Sequence, residues 1–283
     1  MSITAKTDVL AILGDPVSHS LSPVLHNAWI QAAGLDAVYA AIRIETGRAD
    51  QAFKALSAYG LRGANVTVPH KERAANAADK LDKAAKTLNA ANVLRWEEDG
   101  TLSGFNTDAG GVIGALDDSH AGWRSMTGAA LVIGAGGAGR AAAWGLAQAG
   151  VSRILIANRT QARAMETAAL IPRAQAFAWS EMGCLFESAD LIVNTTTLGM
   201  KGQPAMQWPM ARAPSHAIVM DAVYAPLETP LLASAAKRGL KALDGLGMLI
   251  HQAAASFEIW FGQKPSIEMG RAAIELELAE RAR

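Results

Sequence analysis

Gly134, Gly136 and Gly139 stand in the order G-x-G-x-x-G directly after the apolar run Ala129-Ala-Leu-Val-Ile133 and just before the Ala-rich stretch Arg140–Ala149. A strand, a glycine loop and a helix in that order suit a dinucleotide. The first glycine permits the tight turn and the second lets backbone approach a pyrophosphate. The third lets helix and strand pack closely, so that the helix N-terminal amides face the phosphates. The whole loop, Gly134, Ala135, Gly136, Gly137, Ala138 and Gly139, is therefore read as the phosphate cradle. The next apolar run, Arg153–Ala157, ends at Asn158-Arg159-Thr160, 19 residues beyond Gly139. An acid there would accept from the ribose hydroxyls of NAD and repel a 2′-phosphate. This chain has none at those positions; Arg159, with Arg163 one helical turn on, offers guanidinium forks to that phosphate, so NADP is the expected cofactor. The plainer reading of Arg159 is a solvated arginine opening a surface helix.

Elsewhere the chemistry is sparser. Ser20 and Ser22 place two hydroxyls before Pro23, and Ser22 reads as the N-cap of a helix whose first residue is Pro23. His19, His26, His70 and His251 pair with no second ligand at metal spacing, so they are read as packing or supporting residues and no metal is expected. The single Cys184 has no disulfide partner and reads as a buried structural thiol in a reducing compartment. Lys+Arg and Asp+Glu both total 26, so no basic field gathers nucleic acid or anionic lipid. The start of the chain lacks a basic segment followed by a long apolar run, and no later run is long enough for a membrane span, so a cytoplasmic protein is expected.

The elements that must position these groups are those of an α/β protein, and 283 residues with 51% hydrophobic content suit two domains. Residues 9–13, a helix from about Pro23 to Ala33 and the segment Val38 to Ile44 open as β-α-β. A helix over 48–59, a strand over 62–67 and helical stretches after Pro69 follow, then a hairpin of Asn92–Trp96 and Thr101–Gly104 around Asp99-Gly100. From Ala129 six strands, near 129–133, 153–157, 174–178, 190–194, 217–221 and 240–243, suit a doubly wound sheet. The Gly-, Pro- and Met-rich stretch Gly199–His216 reads as a long loop with a ligand-side role. Residues 247–283 read as two helices separated by Gly262–Pro265, the second a surface helix.

Four further strings carry a resemblance: Gly14-Asp-Pro-Val-Ser-His-Ser-Leu-Ser-Pro-Val-Leu-His-Asn27, Asn65-Val-Thr-Val-Pro-His-Lys-Glu72, Asn106-Thr-Asp108 and Gly247-Met-Leu-Ile-His-Gln-Ala253. With the glycine loop, Asn158-Arg-Thr-Gln-Ala-Arg163 and Trp260, in this order along the chain, they resemble the shikimate dehydrogenase family. The resemblance implies an α/β fold of two domains. Residues 1–107 with 245–283 form a mixed α/β substrate domain, and 108–244 a doubly wound parallel-sheet (Rossmann) NADP-binding domain. It implies NADPH-dependent, reversible reduction of 3-dehydroshikimate to shikimate, a step of chorismate and aromatic amino-acid biosynthesis, by a cytoplasmic monomer or homodimer whose partner is a small-molecule substrate.

By the same resemblance Ser20 and Ser22 bind the substrate carboxylate with Tyr224 nearby, while Thr67, Lys71, Asn92, Asp108 and Gln252 meet the ring hydroxyls. A polyhydroxy acid calls for such an inventory, because a site built for hydroxyls rejects analogues lacking them. Hydride delivery to a ketone leaves an alkoxide that must be protonated. Lys71 is the candidate acid, and Asp108 is expected to orient it while accepting from a neighbouring hydroxyl. Taken singly, Lys71 reads equally as a solvated helix residue, Asp108 as an N-cap, Asn92 as a turn residue and Gln252 as the polar side of a helix. Two strings depart from the family pattern. Asn89-Ala-Ala-Asn-Val93 stands where Gly-Ala-x-Asn-Thr is frequent, and Thr197 stands in Asn194–Met200 where Ser is common. Competing readings are a quinate/shikimate dehydrogenase of broader specificity and a non-catalytic sensor of NADP or a metabolite.

Overall fold

The structure is a computed structural model describing residues 3–58, 60–204, 206–281 and 283. The chain divides into two compact units, Met1–Thr107 with Ile250–Arg283, and Asp108–Leu249. In chain order the first unit holds β1 (Asp8–Gly14), α1 (Ser22–Ala32), β2 (Ala37–Arg43), α2 (Ala49–Ala58), β3 (Leu61–Val66), α3 (Lys71–Ala77), β4 (Lys80–Leu81), α4 (Lys83–Leu88), β5 (Val93–Trp96) and β6 (Leu102–Phe105). The second holds α5 (Asp108–Ser119), α6 (Trp123–Met126), β7 (Ala129–Ile133), α7 (Gly137–Gln148), β8 (Arg153–Ala157), α8 (Gln161–Leu170), β9 (Ala174–Phe177), α9 (Met182–Ser188), β10 (Leu191–Asn194), β11 (Ile218–Asp221), α10 (Pro230–Lys237) and β12 (Lys241–Leu243). The division at Leu249/Ile250 falls inside α11 (Gly245–Phe261), where the sequence reading divides the chain at 244/245; α12 (Ile267–Arg281) ends the first unit.

Among the described residues the first unit's sheet runs β2-β1-β3-β5-β6-β4, parallel at β2-β1-β3 and antiparallel at β3-β5-β6. The antiparallel part is the expected hairpin. Gly100 takes φ 84° at its turn, and the Asp99 carboxylate accepts from the Thr101 amide at 2.9 Å. Leu13, Phe53, Ala64 and Leu94 fill one side of this sheet. On α12 Gly270 is needed because a Cβ there would lie 2.6 Å from the Trp29 ring of α1.

The second unit is the expected doubly wound sheet, all parallel in the order β12-β11-β10-β7-β8-β9. The strand order reverses between β7 and β10, where this topology opens a crevice for ligands beyond the carboxyl ends of the strands. Fully apolar runs such as Ala129–Ile133 form these strands because helices cover both faces. The mixed α/β and doubly wound classes both hold.

Three local expectations need correction. The helix begins at Ser22 with Leu21 at the cap position, and the Ser20 hydroxyl accepts from the Ser22 amide at 3.2 Å. Pro23 has no N–H to cap, so the first free donor is that of Ser22 and the side chain two residues back reaches it. Cys184 is exposed rather than buried: the buried face of α9 is Met182, Leu185 and Phe186, at i, i+3 and i+4, which turns residue 184 outward. The long stretch 199–216 is partly core, since Trp208, Met210 and Ala213 pack with Leu131, Ile133 and Phe186 over one face of the sheet.

Candidate active site

In the first unit, several expected residues converge through backbone geometry. The Thr67 amide donates to Leu13 O at 2.8 Å, and a Cβ on Gly14 would lie 2.4 Å from the Thr67 methyl, so glycine lets the end of β1 meet Thr67. The Asp15 amide donates to Val68 O at 3.1 Å, and the Asp15 carboxylate pairs with Arg43 at 2.8 Å. The Arg43 guanidinium holds that carboxyl below its usual range. The loop carrying Ser20 and Ser22 is thus fastened beside Thr67. Ser20 is half-buried and Ser22 buried, and burial pushes the Tyr39 phenol well above its usual pKa. Lys71, half-buried, opens α3, and its carbonyl accepts from the Ala91 amide at 2.9 Å, next to Asn92.

Asn92 is held at both ends of its amide. Its Oδ1 accepts from the Thr107 amide at 2.7 Å, and its Nδ2 donates to Thr107 Oγ1 at 2.9 Å and to Gln252 Oε1 at 3.3 Å. A buried amide held from both ends fixes the Asn106–Thr107 segment against α11. Beneath it lies a network that sequence reasoning missed. Asn65 Nδ2 donates to Ser256 Oγ at 2.9 Å and to Asn92 O at 3.2 Å, while Asn65 Oδ1 accepts from the Tyr39 hydroxyl at 2.7 Å. Ser256 in turn donates to Gln252 O at 2.9 Å. The available signal was polar side chains at positions whose neighbours, Ala64, Val66 and Phe257, are all core.

Among the histidines, His26 is buried and stacked on Tyr39 at a centroid distance of 4.3 Å; burial lowers its pKa to about 3, so it is neutral packing. His70 is buried, with Nε2 2.6 Å from Ile44 O. The departure at Asn89 has a conformational account, because the residue takes φ 47°, which Asn tolerates better than most residues other than Gly. Val93 is buried in β5 opposite Asn65.

In the second unit the glycine loop is sterically determined. Gly134 has φ 109°, and a Cβ there would lie 2.6 Å from Thr195 Oγ1. A Cβ on Gly139 would lie 2.1 Å from Gly134 O. Gly136, by contrast, meets no heavy atom within 4 Å among the described residues. Gly136 and Gly137 are exposed, Ala138 is half-buried, and Ala135 is buried with its amide donating to Asn158 Oδ1 at 3.2 Å. Asn158 Nδ2 donates to Thr160 O at 2.9 Å, so this side chain braces the loop against the end of β8. Arg159, Thr160 and Arg163 are exposed around the start of α8.

These residues fit an NADP molecule. Space opens over Gly136, the first turn of α7 offers amides without a side-chain cap among the described residues, and two guanidiniums stand by the end of β8. Tyr224 and Asp108 also belong to this unit; Tyr224 is half-buried in the turn after β11, and Asp108 is buried as the first residue of α5.

Three family models match the chain: the shikimate dehydrogenase substrate binding domain over residues 12–94, shikimate / quinate 5-dehydrogenase over 120–201, and the shikimate 5'-dehydrogenase C-terminal domain over 245–275. Shikimate dehydrogenase (NADP(+)) of Azorhizobium caulinodans is 44% identical over 262 residues, 92% of this chain and 93% of its own. The crystal structure of shikimate dehydrogenase from Aquifex aeolicus superposes with a TM-score of 0.89 at 34% identity, covering 96% of this chain and 99% of that one. That of shikimate 5-dehydrogenase from Thermus thermophilus, in complex with NADP(H) and shikimate, gives 0.85 at 35% identity, covering 95% and 99%. Identity of this order along almost the whole length of both chains makes this chain a member of the shikimate dehydrogenase family.

Proposed function

We propose that this chain is an NADP-dependent oxidoreductase that reduces 3-dehydroshikimate to shikimate, reversibly, in the route to chorismate and the aromatic amino acids. The observation that carries the reading is one chain holding both a dinucleotide cradle with guanidiniums in place of the ribose acid, and a unit whose buried amides and hydroxyls suit a polyhydroxy acid. The first unit is the substrate domain and the second the cofactor domain. Relatives named for this reaction match both.

Bound at these residues, NADPH would supply the hydride for the ketone carbon. The loop Gly134–Gly139 would hold its pyrophosphate and Arg159 and Arg163 its 2′-phosphate, with Asn158 and Thr160 at the ribose end. Lys71 meets the carbonyl oxygen: its ammonium stabilises the charge that develops there and then gives up a proton to the alkoxide, and in the oxidation direction the neutral amine takes that proton back. Asp108 accepts from the adjacent ring hydroxyl. Thr67, Asn92 and Gln252 meet the remaining hydroxyls, and Asn92 does so as part of the clamp that already fixes Thr107. Ser20, whose lone pair takes the Ser22 amide, keeps its own proton to donate to the substrate carboxylate, for which Ser22 and Tyr224 are the other proposed donors.

The enzyme acts in the cytoplasm, as a monomer or homodimer, without nucleic acid or metal. No helix among the described residues is long and apolar enough to cross a membrane. The test is NADPH oxidation by purified protein with 3-dehydroshikimate, beside shikimate and quinate with NADP and NAD. Turnover of 3-dehydroshikimate with NADPH, and of shikimate with NADP in reverse, well above the quinate and NAD pairs is expected; turnover confined to quinate, or none with any pair, overturns the reading.

A further inference from the structure

We propose that Asp221 is a positioning residue that sets the loop beside the cofactor cradle and the turn carrying Tyr224 in one joint arrangement. The inference rests on the roles proposed above for Gly134–Gly139 and Tyr224.

Asp221 ends β11 and is fully buried. Its Oδ1 accepts from Asn194 Nδ2 at 2.9 Å and from the Val223 amide at 3.0 Å, and its Oδ2 accepts from the Thr229 hydroxyl at 2.6 Å. The Val223 amide and the Asn194 NH₂ can only donate. Thr229 Oγ1 accepts from the Leu232 amide at 3.3 Å as the N-cap of α10, and its proton is available to Asp221. Asn194 Oδ1 is taken by the Thr196 amide at 3.1 Å and the Thr196 hydroxyl at 2.7 Å, which leaves its NH₂ for Asp221 and for Leu198 O at 3.2 Å. Three donors around one buried carboxyl match the ionised form, although burial pushes its pKa up.

From this carboxylate two loops are held. Through Asn194 it fixes Thr196 and Leu198, and Thr195 between them donates to Ile133 O at 2.8 Å and packs on Gly134 at the mouth of the cradle. Through Val223 and Thr229 it fixes the two ends of the turn around Tyr224, and Gly199 packs against Thr229, 3.3 Å from where its Cβ would stand to Thr229 Cβ. Both loops leave the carboxyl ends of neighbouring strands, where Asn194 and Asp221 are register partners, beside the switch point at β7 and β10. Asp221 holds a cofactor-side loop and a substrate-side turn from a single group.

The experiment uses full-length protein with Thr229→Val, which deletes the donor at nearly constant shape, Thr229→Ser, which keeps it, and Asp221→Asn. NADPH affinity is read by fluorescence titration and shikimate KM at saturating NADP, both well below the melting temperature. Thr229→Val should weaken NADPH and raise the shikimate KM by about 3- to 30-fold each, with Thr229→Ser restoring both. In a Tyr224→Phe background the KM effect of Thr229→Val should vanish, because the tyrosine it positions has lost its hydroxyl. A Thr229→Val or Asp221→Asn protein with lowered melting temperature but unchanged NADPH affinity and KM overturns the proposal, as does an undiminished KM effect in the Tyr224→Phe background. If the wild type shows no turnover with shikimate, the proposed function fails instead. The NADPH titration, which needs no turnover, then decides whether the carboxylate sets the cofactor-side loop.

Discussion

Gly136 and Gly139 lie in one loop, yet an alanine at each meets opposite surroundings. At Gly139 the new methyl would sit 2.1 Å from Gly134 O, 2.7 Å from Gly134 C and 2.9 Å from Thr195 Oγ1, all far inside contact distance. Gly134 is itself held at φ 109°, so it has little freedom to retreat, and overpacking of this kind costs about 1–3 kcal/mol. At Gly136 the backbone has φ −81° and ψ −171°, which alanine adopts freely, and the methyl meets no heavy atom within 4 Å among the described residues. Its only folding penalty is that of a poor N-cap, about 0.5–1 kcal/mol relative to glycine. In the proposed function the same methyl stands where the pyrophosphate approaches the amides of α7, and losing one charge-assisted hydrogen bond costs about 1.5–3 kcal/mol, or roughly 10- to 150-fold in affinity. Melting temperature and NADPH titration on both variants separate the two effects. Gly139→Ala should lose stability, whereas Gly136→Ala should stay near wild type in stability and bind NADPH at least tenfold more weakly. Wild-type NADPH affinity in Gly136→Ala would refute the claim that phosphate comes to this backbone.

Further expectations concern the chemistry, the cofactor choice and the acid limb of stability. Lys71→Ala should lower kcat by about 10²–10⁴-fold with a far smaller change in KM; a variant with wild-type kcat would remove Lys71 from the proton transfer. Arg159→Ala should weaken NADP by roughly 10- to 150-fold while leaving NAD nearly unchanged. The comparison of kcat/KM at fixed ionic strength checks this, and equal losses for both cofactors would show that Arg159 does not read the phosphate. Asp190 is partly buried, which alone would raise its pKa. His216 at 2.9 Å and the amides of Ala129 and Gly128, both at 2.9 Å, outweigh burial and lower it. A folded pKa below the unfolded one gives stability that is present above the unfolded value, about 4, and is lost as pH falls through the folded value. Asp190→Asn should therefore cost about 1–2 kcal/mol at neutral pH, a deficit that shrinks in denaturant unfolding below pH 4; a deficit independent of pH down to about 2.5 would disprove the linkage.

The glycine loop is legible in the sequence because its constraint is local: an apolar strand, a fixed glycine spacing and a helix lie within one short stretch, and the close contact of Gly139 with Gly134 follows from them. Lys71 and Asn92 carry no such local constraint, and only the ordered strings mark them. The Ser22 cap misleads because Pro23 removes a donor and shifts the capping by two residues, a geometric detail that composition does not carry. Trp208 and Met210 are hidden for another reason: a loop that fills a core has no period to betray it. The Asp221 carboxylate is hidden most completely. Asn194 lies 27 residues before it and Thr229 8 residues after it. Only the parallel register of β10 with β11 brings the first of these beside it, and only the turn through Tyr224 returns the second. Read along the chain, Asp221 is an acid at the end of an apolar run and Thr229 a helix cap before Pro230. Both are true locally, and neither local reading leads to the other. Long-range register, not residue type, therefore decides where this site's supporting shell lies, and substitutions chosen from the sequence strings alone would pass over the groups that hold the proposed ligand-side loops in place.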